Sequence, residues 1–309
     1  MLGILRLDGV FPLSGHHHLT SNCENGRNLE TGKSYTLRWG KDLTNWPLIK
    51  LRMAAAQFNE LGCDVDIWNL EHPVVGEAQL SHDRQLVELK IIEYPSPPVA
   101  RWSALFGSAI GSLRSAADSF AWELAHLEGR KPPNPKQVYF PTHRKRKDWD
   151  NQVQKLGDIP QILVKRFTNL RKLDDGGWAL WMAAMADLNN IDKHQSSLEI
   201  SPDFSNASTE DLEIRFPTNH GGTTAEFIPL LNIRDARCGD VVARWHFSSP
   251  VLGAQGSLQG AVAPAVEFGP LHYVSRTMHE AVSYALEYLR AGVSSIGEAN
   301  LDETEVGEV

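Results

Sequence analysis

Five residues of this chain have the types and spacing to do chemistry: Arg114 and Asp118, one helical turn apart, and Asp192, Lys193 and His194 in succession. A histidine can move a proton near neutral pH, and an arginine or lysine can hold the negative charge that builds on a phosphodiester in its transition state. Arg114, Asp118 and His194 are therefore candidate catalytic residues for splitting a phosphodiester, with Asp192 and Lys193 as candidate binding residues. The same side chains also assemble an inert salt-bridge cluster, and that reading ranks first. Other chemistry is not signalled. Gly-x-Gly-x-x-Gly, the Walker loop, Gly-x-Ser-x-Gly and His-Glu-x-x-His are all absent from the sequence. His16, His17 and His18 are adjacent, so they cannot converge on one ion from regular backbone, and His279-Glu280 lacks a second histidine four residues on. No metal and no cofactor are expected.

Two helices must position these residues. From Val99 to Leu127, Trp102, Phe106, Ala109, Leu113, Ala116, Ala117, Phe120 and Leu124 recur at three- and four-residue spacing, which predicts a long helix with one apolar face. Pro97 and Pro98 precede it, while Gly129, Pro132 and Pro133 end it. Gly107, Gly111, Arg114 and Asp118 fall together on a flank of that face, where small residues admit another backbone and the arginine can pair with the aspartate. A second helix carries Trp178, Trp181, Met182, Met185 and Leu188 on its stripe and ends at His194, with Asp192 continuing the apolar line. A carboxylate in that position needs water, a proton or a cation. Arg114 is the natural partner, so the sequence predicts that Arg114 and Asp192 meet between the helices.

Composition bounds the partners. The chain has 309 residues, 42% hydrophobic and 22% charged, with a net charge of −8. That excludes a global basic field for nucleic acid, and leaves any RNA contact to local groups such as the run from His143 to Lys147. Cys23, Cys63 and Cys238 are far apart, as expected of unlinked thiols in a reducing compartment. Neither a secretory leader nor an apolar run long enough to span a membrane is evident, so the expectation is a cytoplasmic protein with no membrane partner.

Along the chain, residues 1–43 read as an irregular arm, and Asn45 to Leu61 as an amphipathic helix with Leu48, Leu51, Ala55 and Phe58 inward. Cys63 to Trp68 reads as a short strand, and Leu86 to Tyr94 as a clear one with Val87, Leu89 and Ile91 on one face. Short helices are expected over Trp149–Leu156 and Pro160–Leu170. Five strands follow, at Ser197–Ile200, Leu212–Phe216, Ala225–Leu231, Val241–Phe247 and Gln259–Phe268, and then a closing helix from Leu271 to Arg290. The class is α+β: a helical bundle with a packed antiparallel β-sheet, the strand before the first central helix joining the strands after the second. We expect a single domain over 44–292, with its helical core at 98–195, a β-rich section at 196–270 and the closing helix at 271–290. An acidic, disordered tail is expected over 293–309.

The segment Gly107-Ser-Ala-Ile-Gly-Ser-Leu-Arg-Ser-Ala-Ala-Asp118-Ser119-Phe resembles a recurrent uncharacterised bacterial family. That family's helix reads approximately Gly-Asp-x-x-His-Asn-Leu-Arg-Ser-Ala-Leu-Asp-His-Leu. Phe140-Pro141 and Asn190-Ile-Asp192-Lys193-His194 resemble its Phe-Pro and Asn-x-Asp-Lys-His elements, so the likeness covers roughly residues 85–200. The family's Arg-x4-His is in turn similar to the signature of HEPN helical domains, many of which cut RNA as dimers in toxin or phage-defence systems. The resemblance implies a HEPN-like bundle. This chain departs from the pattern at Ser119, where the family has histidine, and at Ser108, Gly111 and Ser112, which replace Asp, His and Asn. Retained Arg114 and Asp118 with lost polar neighbours favour a non-catalytic scaffold that binds a protein partner or a second copy through the flank of the first helix. A HEPN-like metal-independent ribonuclease is the alternative.

Overall fold

The computed structural model describes residues 3–11, 45–172, 177–194, 198–217, 224–229 and 236–305. The chain divides into two compact units, and three of the borders between them fall inside helices. Unit 1 comprises Met1–Asn25, Gly62–Trp102 and Glu199–Leu271; unit 2 comprises Gly26–Leu61, Ser103–Leu198 and His272–Val309.

Unit 1 is built on an antiparallel sheet. Its strands are β1 (Gly3–Phe11), β2 (Val74–Leu80), β3 (Leu86–Glu93), β4 (Ser201–Phe216), β5 (Ala225–Pro229), β6 (Val241–Phe247), β7 (Gly253–Val266) and β8 (Gly269–Pro270). They lie in the order β1-β4-β7-β2-β3-β6-β5, with β8 paired to β7. The β2–β3 hairpin thus sits between strands that arrive much later in the chain, Val74 opposite Gly260 and Leu86 opposite His246. This is the joining of early and late strands that the hydrophobic patterns predict. In β3, Val87, Leu89 and Ile91 are buried, as their alternation requires. On the opposite face Glu88 accepts from Arg244 at 2.9 Å and pairs with Lys90 at 3.1 Å. Burial opposes ionisation of Glu88, but the two cations outweigh it and hold the carboxyl below its ordinary range.

Three expectations change here. The segment Gly3–Phe11 is a strand rather than irregular, because Leu5 and Leu7 alternate with Arg6 and Asp8 and find a partner in β4, from Gly3 opposite Phe216 to Phe11 opposite Ala207. The rest of the expected arm, 12–43, lies outside the described residues. Cys63–Trp68 is not a strand but the continuation of helix α1 (Trp46–Glu71). Its alternation of Cys63, Val65 and Ile67 with acids imitates a strand, but tertiary partners settle it. Trp102 Nε1 donates to Asp64 at 3.0 Å, and the Asn69 amide both donates to the Val262 carbonyl and accepts from its N–H. Residues 198–200 are irregular, and the strand expected there begins at Ser201.

Unit 2 holds the helices: the first part of α1, α2 (Val99–Ala125), α3 (Arg146–Gln154), α4 (Gln161–Lys172), α5 (Trp178–His194) and α6 (Leu271–Glu305). All the predicted inward residues of α2 are buried. One of them, Phe106, has its ring 6.0 Å from that of Phe58 of α1. Trp178 of α5 donates from Nε1 to the Ala281 carbonyl of α6 at 2.7 Å, and its ring lies 5.9 Å from that of Trp149 of α3 in a T-shaped pair. Arg166 of α4 donates to the Tyr288 carbonyl at 2.6 Å and lies over that ring. The closing helix outruns its predicted end at Arg290, and residues 298–305 are helical rather than a disordered tail. A glycine near a helix end often stops it, but Gly292 does not. It is instead a close-packing position, where a Cβ would stand 2.6 Å from Arg166 Cδ. Among the described residues, no helix is long and apolar enough to cross a membrane.

Candidate functional site

The flank of α2 comes first, since the candidate residues sit on it. Gly107 faces the end of α5, where a Cβ would lie 2.7 Å from the carboxyl carbon of Asp192. One turn on, a Cβ at Gly111 would lie 3.8 Å from the side-chain oxygen of Asn189. The residue numbers rise along α2 as they fall along α5, so the two helices pack antiparallel with the small residues at their contact. The two rods expected side by side are therefore side by side.

Their predicted ion pair is not formed. Arg114 donates from Nε to Asp118 Oδ2 at 2.9 Å, from one terminal nitrogen to Thr142 Oγ1 at 3.0 Å, and from the other to the Phe140 carbonyl at 3.4 Å. Asp118 Oδ1 accepts from the Phe140 N–H at 2.9 Å. The guanidinium is thus engaged two turns away from Asp192, which lies exposed at the helix end. Phe140 is buried and packs its ring 5.7 Å from Phe167 of α4. Arg114 and Asp118 therefore act as a clamp that fixes the Phe140–Thr142 segment against α2. Burial pushes the Asp118 carboxyl above its ordinary range, against the attraction of Arg114 and Lys193 and the bond from Phe140.

Of the candidate residues, Arg114 and Asp118 are in contact, Lys193 is exposed and acts on Asp118 only through its charge, and Asp192 lies at Gly107. His194 is the last residue of α5, and its side chain lies outside the described residues. Among the described residues no group of three histidine, cysteine or acidic side chains could hold a metal ion. A surface depression of about 430 Å³ is lined by Pro133, Asn134, Gln137, Asn151, Gln154 and Lys155, and offers no acid–base pair.

Sequence reasoning missed a second polar row on α2. Gln57 of α1 donates to Ser108 at 2.7 Å and accepts from Ser112 at 2.8 Å. Lys50 of α1 donates to Ser115 at 2.6 Å and Ser119 at 2.7 Å while lying over the Trp46 ring. Partial burial lowers the Lys50 pKa, with the Asp118 charge working the other way. The signal was present in the sequence: serines at 108, 112, 115 and 119 recur every four, three and four residues, which is one stripe of a helix. Ser119, at the position where the resembled family has histidine, is thus a hydrogen-bond partner of α1.

No protein-family model, curated protein or solved structure matches this chain.

Proposed function

We propose that this protein is a non-catalytic binding or self-associating helical module of the cytoplasm, with a HEPN-like bundle as its scaffold. The observation that carries the reading is the engagement of Arg114 by Asp118, Thr142 and Phe140. A guanidinium that pins a loop to its own helix is a structural element, whereas one that stabilises a phosphoryl transition state points its donors at a substrate. The Phe-Pro element and the Arg and Asp positions that support the family resemblance are the residues joined by this clamp, which explains their co-occurrence without chemistry. The α2 flank that the sequence suggested as a docking surface is occupied by α5, so the contact surface lies elsewhere on the helices. Exposed Trp46, Ile49 and Met53 on α1 supply apolar side chains for it.

The test is digestion of single-stranded and structured RNA by wild type and by His194→Ala. The expected outcome is equal, background-level cleavage by both. RNA cut by wild type and spared by His194→Ala would instead establish the ribonuclease alternative, with Arg114 and His194 at its centre.

A further inference from the structure

The loop after α2 and the helix that follows it carry a charge that the rest of the chain does not. From Lys131 to Lys155 there are seven lysines and arginines against two aspartates, in a protein whose net charge is −8. All of these residues belong to unit 2. Arg144 is drawn to Asp187 at 3.8 Å, and Arg146 to Asp150 at 3.4 Å. Among the described residues, the ammonium groups of Lys131, Lys136, Lys145 and Lys147 reach no carboxylate, and all four residues are exposed. Asp148 is the one acid of the segment left to set against them. Like charges gathered on one surface repel, so a polyanion that neutralises them gains free energy by binding there.

These cations border a groove with two polar walls. One wall is α3, where Lys147, Asn151 and Gln154 recur at four and three residues on the side opposite buried Trp149 and Val153. The other wall is the segment from Pro133 to Tyr139, which runs antiparallel to the helix. Pro133 lies beside Gly157, while the Gln137 and Tyr139 carbonyls accept from the Gln152 side chain at 3.0 and 3.1 Å. Gln152 is buried and ties the two walls together. The depression of about 430 Å³ between them has the volume of a small-ligand site, and four exposed amides line it: Asn134, Gln137, Asn151 and Gln154. Each amide sets a donor beside an acceptor, which is the pattern on the edge of a nucleobase. Tyr139, two residues beyond Gln137, is 49% exposed and offers a flat ring on which a base can stack.

We propose that this groove binds single-stranded nucleic acid, its phosphates on the exposed lysines and a base held by Tyr139 and the amide side chains. A duplex keeps its bases stacked and paired, and an acidic protein segment would leave the ring and the amides unused. The inference deepens the proposed function and rests on its non-catalytic reading, since it names a partner that is bound and not cut.

The experiment is fluorescence anisotropy of the full chain with RNA and DNA strands of one sequence, about 12 nucleotides long, with the matching duplex and with polyglutamate. Salt is varied from about 50 to 200 mM, and circular dichroism of each variant verifies folding. At least one of the single strands is expected to bind more tightly than duplex or polyglutamate. A preference for RNA over DNA would identify recognition of the 2′-hydroxyl, and equal binding would identify the shared backbone and bases as the ligand. Lys136→Gln and Lys147→Gln are each expected to weaken binding about 3- to 10-fold and to reduce the slope of log affinity against log salt by about 0.7. Tyr139→Ala is expected to weaken it by about 10-fold. Lys172→Gln, at an exposed lysine on α4 outside the groove, is expected to leave it unchanged. A chain that binds neither strand below about 100 µM overturns the inference. So does binding that none of the three groove variants weakens, or that Lys172→Gln weakens as much. Duplex or polyglutamate bound as tightly as the strands also overturns it, the second in favour of an acidic protein partner. His194-dependent cutting of the bound RNA would overturn the non-catalytic reading and leave the binding result standing, so the two failures are separable.

Discussion

Arg114 shows how a residue that looks catalytic in a sequence can be structural. Its side chain is 14% exposed, and that of its partner Asp118 is 25% exposed. Arg114→Ala removes the cation from a largely buried carboxylate and the donors that hold Thr142 and Phe140. The expected loss is about 2–4 kcal/mol in urea unfolding, and Arg114→Lys should recover only part of it because an ammonium cannot reproduce the fork. A second residue-scale effect concerns His279. Burial holds its imidazole neutral, lowering the pKa from 6.5, although the Leu51 backbone and the charge of Glu280 favour the proton. As pH falls below 6.5 the unfolded chain takes up a proton that the folded chain still refuses, so folding stability falls through that window and levels off below the folded pKa. Urea midpoints at pH 7.5 and 5.5 should therefore differ for wild type, and differ less for His279→Gln.

Between elements, the close approaches are made by glycines, and not all of them are equally demanding. Gly107 of α2 meets a carboxylate at the exposed end of α5, and that side chain can swing into water. Gly260 of β7 meets Phe204, whose ring is buried, with a Cβ there standing 2.6 Å from the ring's Cζ. Gly260→Ala is accordingly expected to destabilise by about 1–3 kcal/mol and Gly107→Ala by less than about 1 kcal/mol, read from chemical unfolding. The elements themselves were legible wherever one face alone was buried. The stripes of α2, α5 and α6 are close to what their spacing demands, and β6 spans the predicted residues. Legibility failed where a pattern had two meanings. Cys63, Val65 and Ile67 alternate like a strand, and only the partners of Asp64 and Asn69 reveal the helix. β2 was missed because Gly76, Glu77 and Gln79 dilute its apolar character. Gly76 is needed where a Cβ would stand 2.8 Å from the Lys90 carbonyl.

For the whole molecule, the sequence foretold a mixed class and an antiparallel sheet that gathers early and late strands. The candidate site was legible in its parts and not in its pairings. That Arg114 and Asp118 share a flank follows from helical spacing alone, and so does their contact. That the arginine would turn to Thr142 and Phe140 instead of Asp192 depends on the path of the loop after α2, which carries prolines but no periodicity to read. The serine row had a period, but a serine stripe carries neither an apolar nor a charge signal to mark it as a contact face.

The strand order of unit 1 also governs how this chain can mature. Val74 waits for Gly260 and Leu86 for His246, while every residue of α2 through α5 is synthesised between them. At about 5–20 residues per second, a nascent β2–β3 hairpin leaves the ribosome with both long edges bare for on the order of ten seconds or more. Until the last third of the polypeptide arrives to enclose it, that hairpin presents unpaired backbone to any other strand it meets.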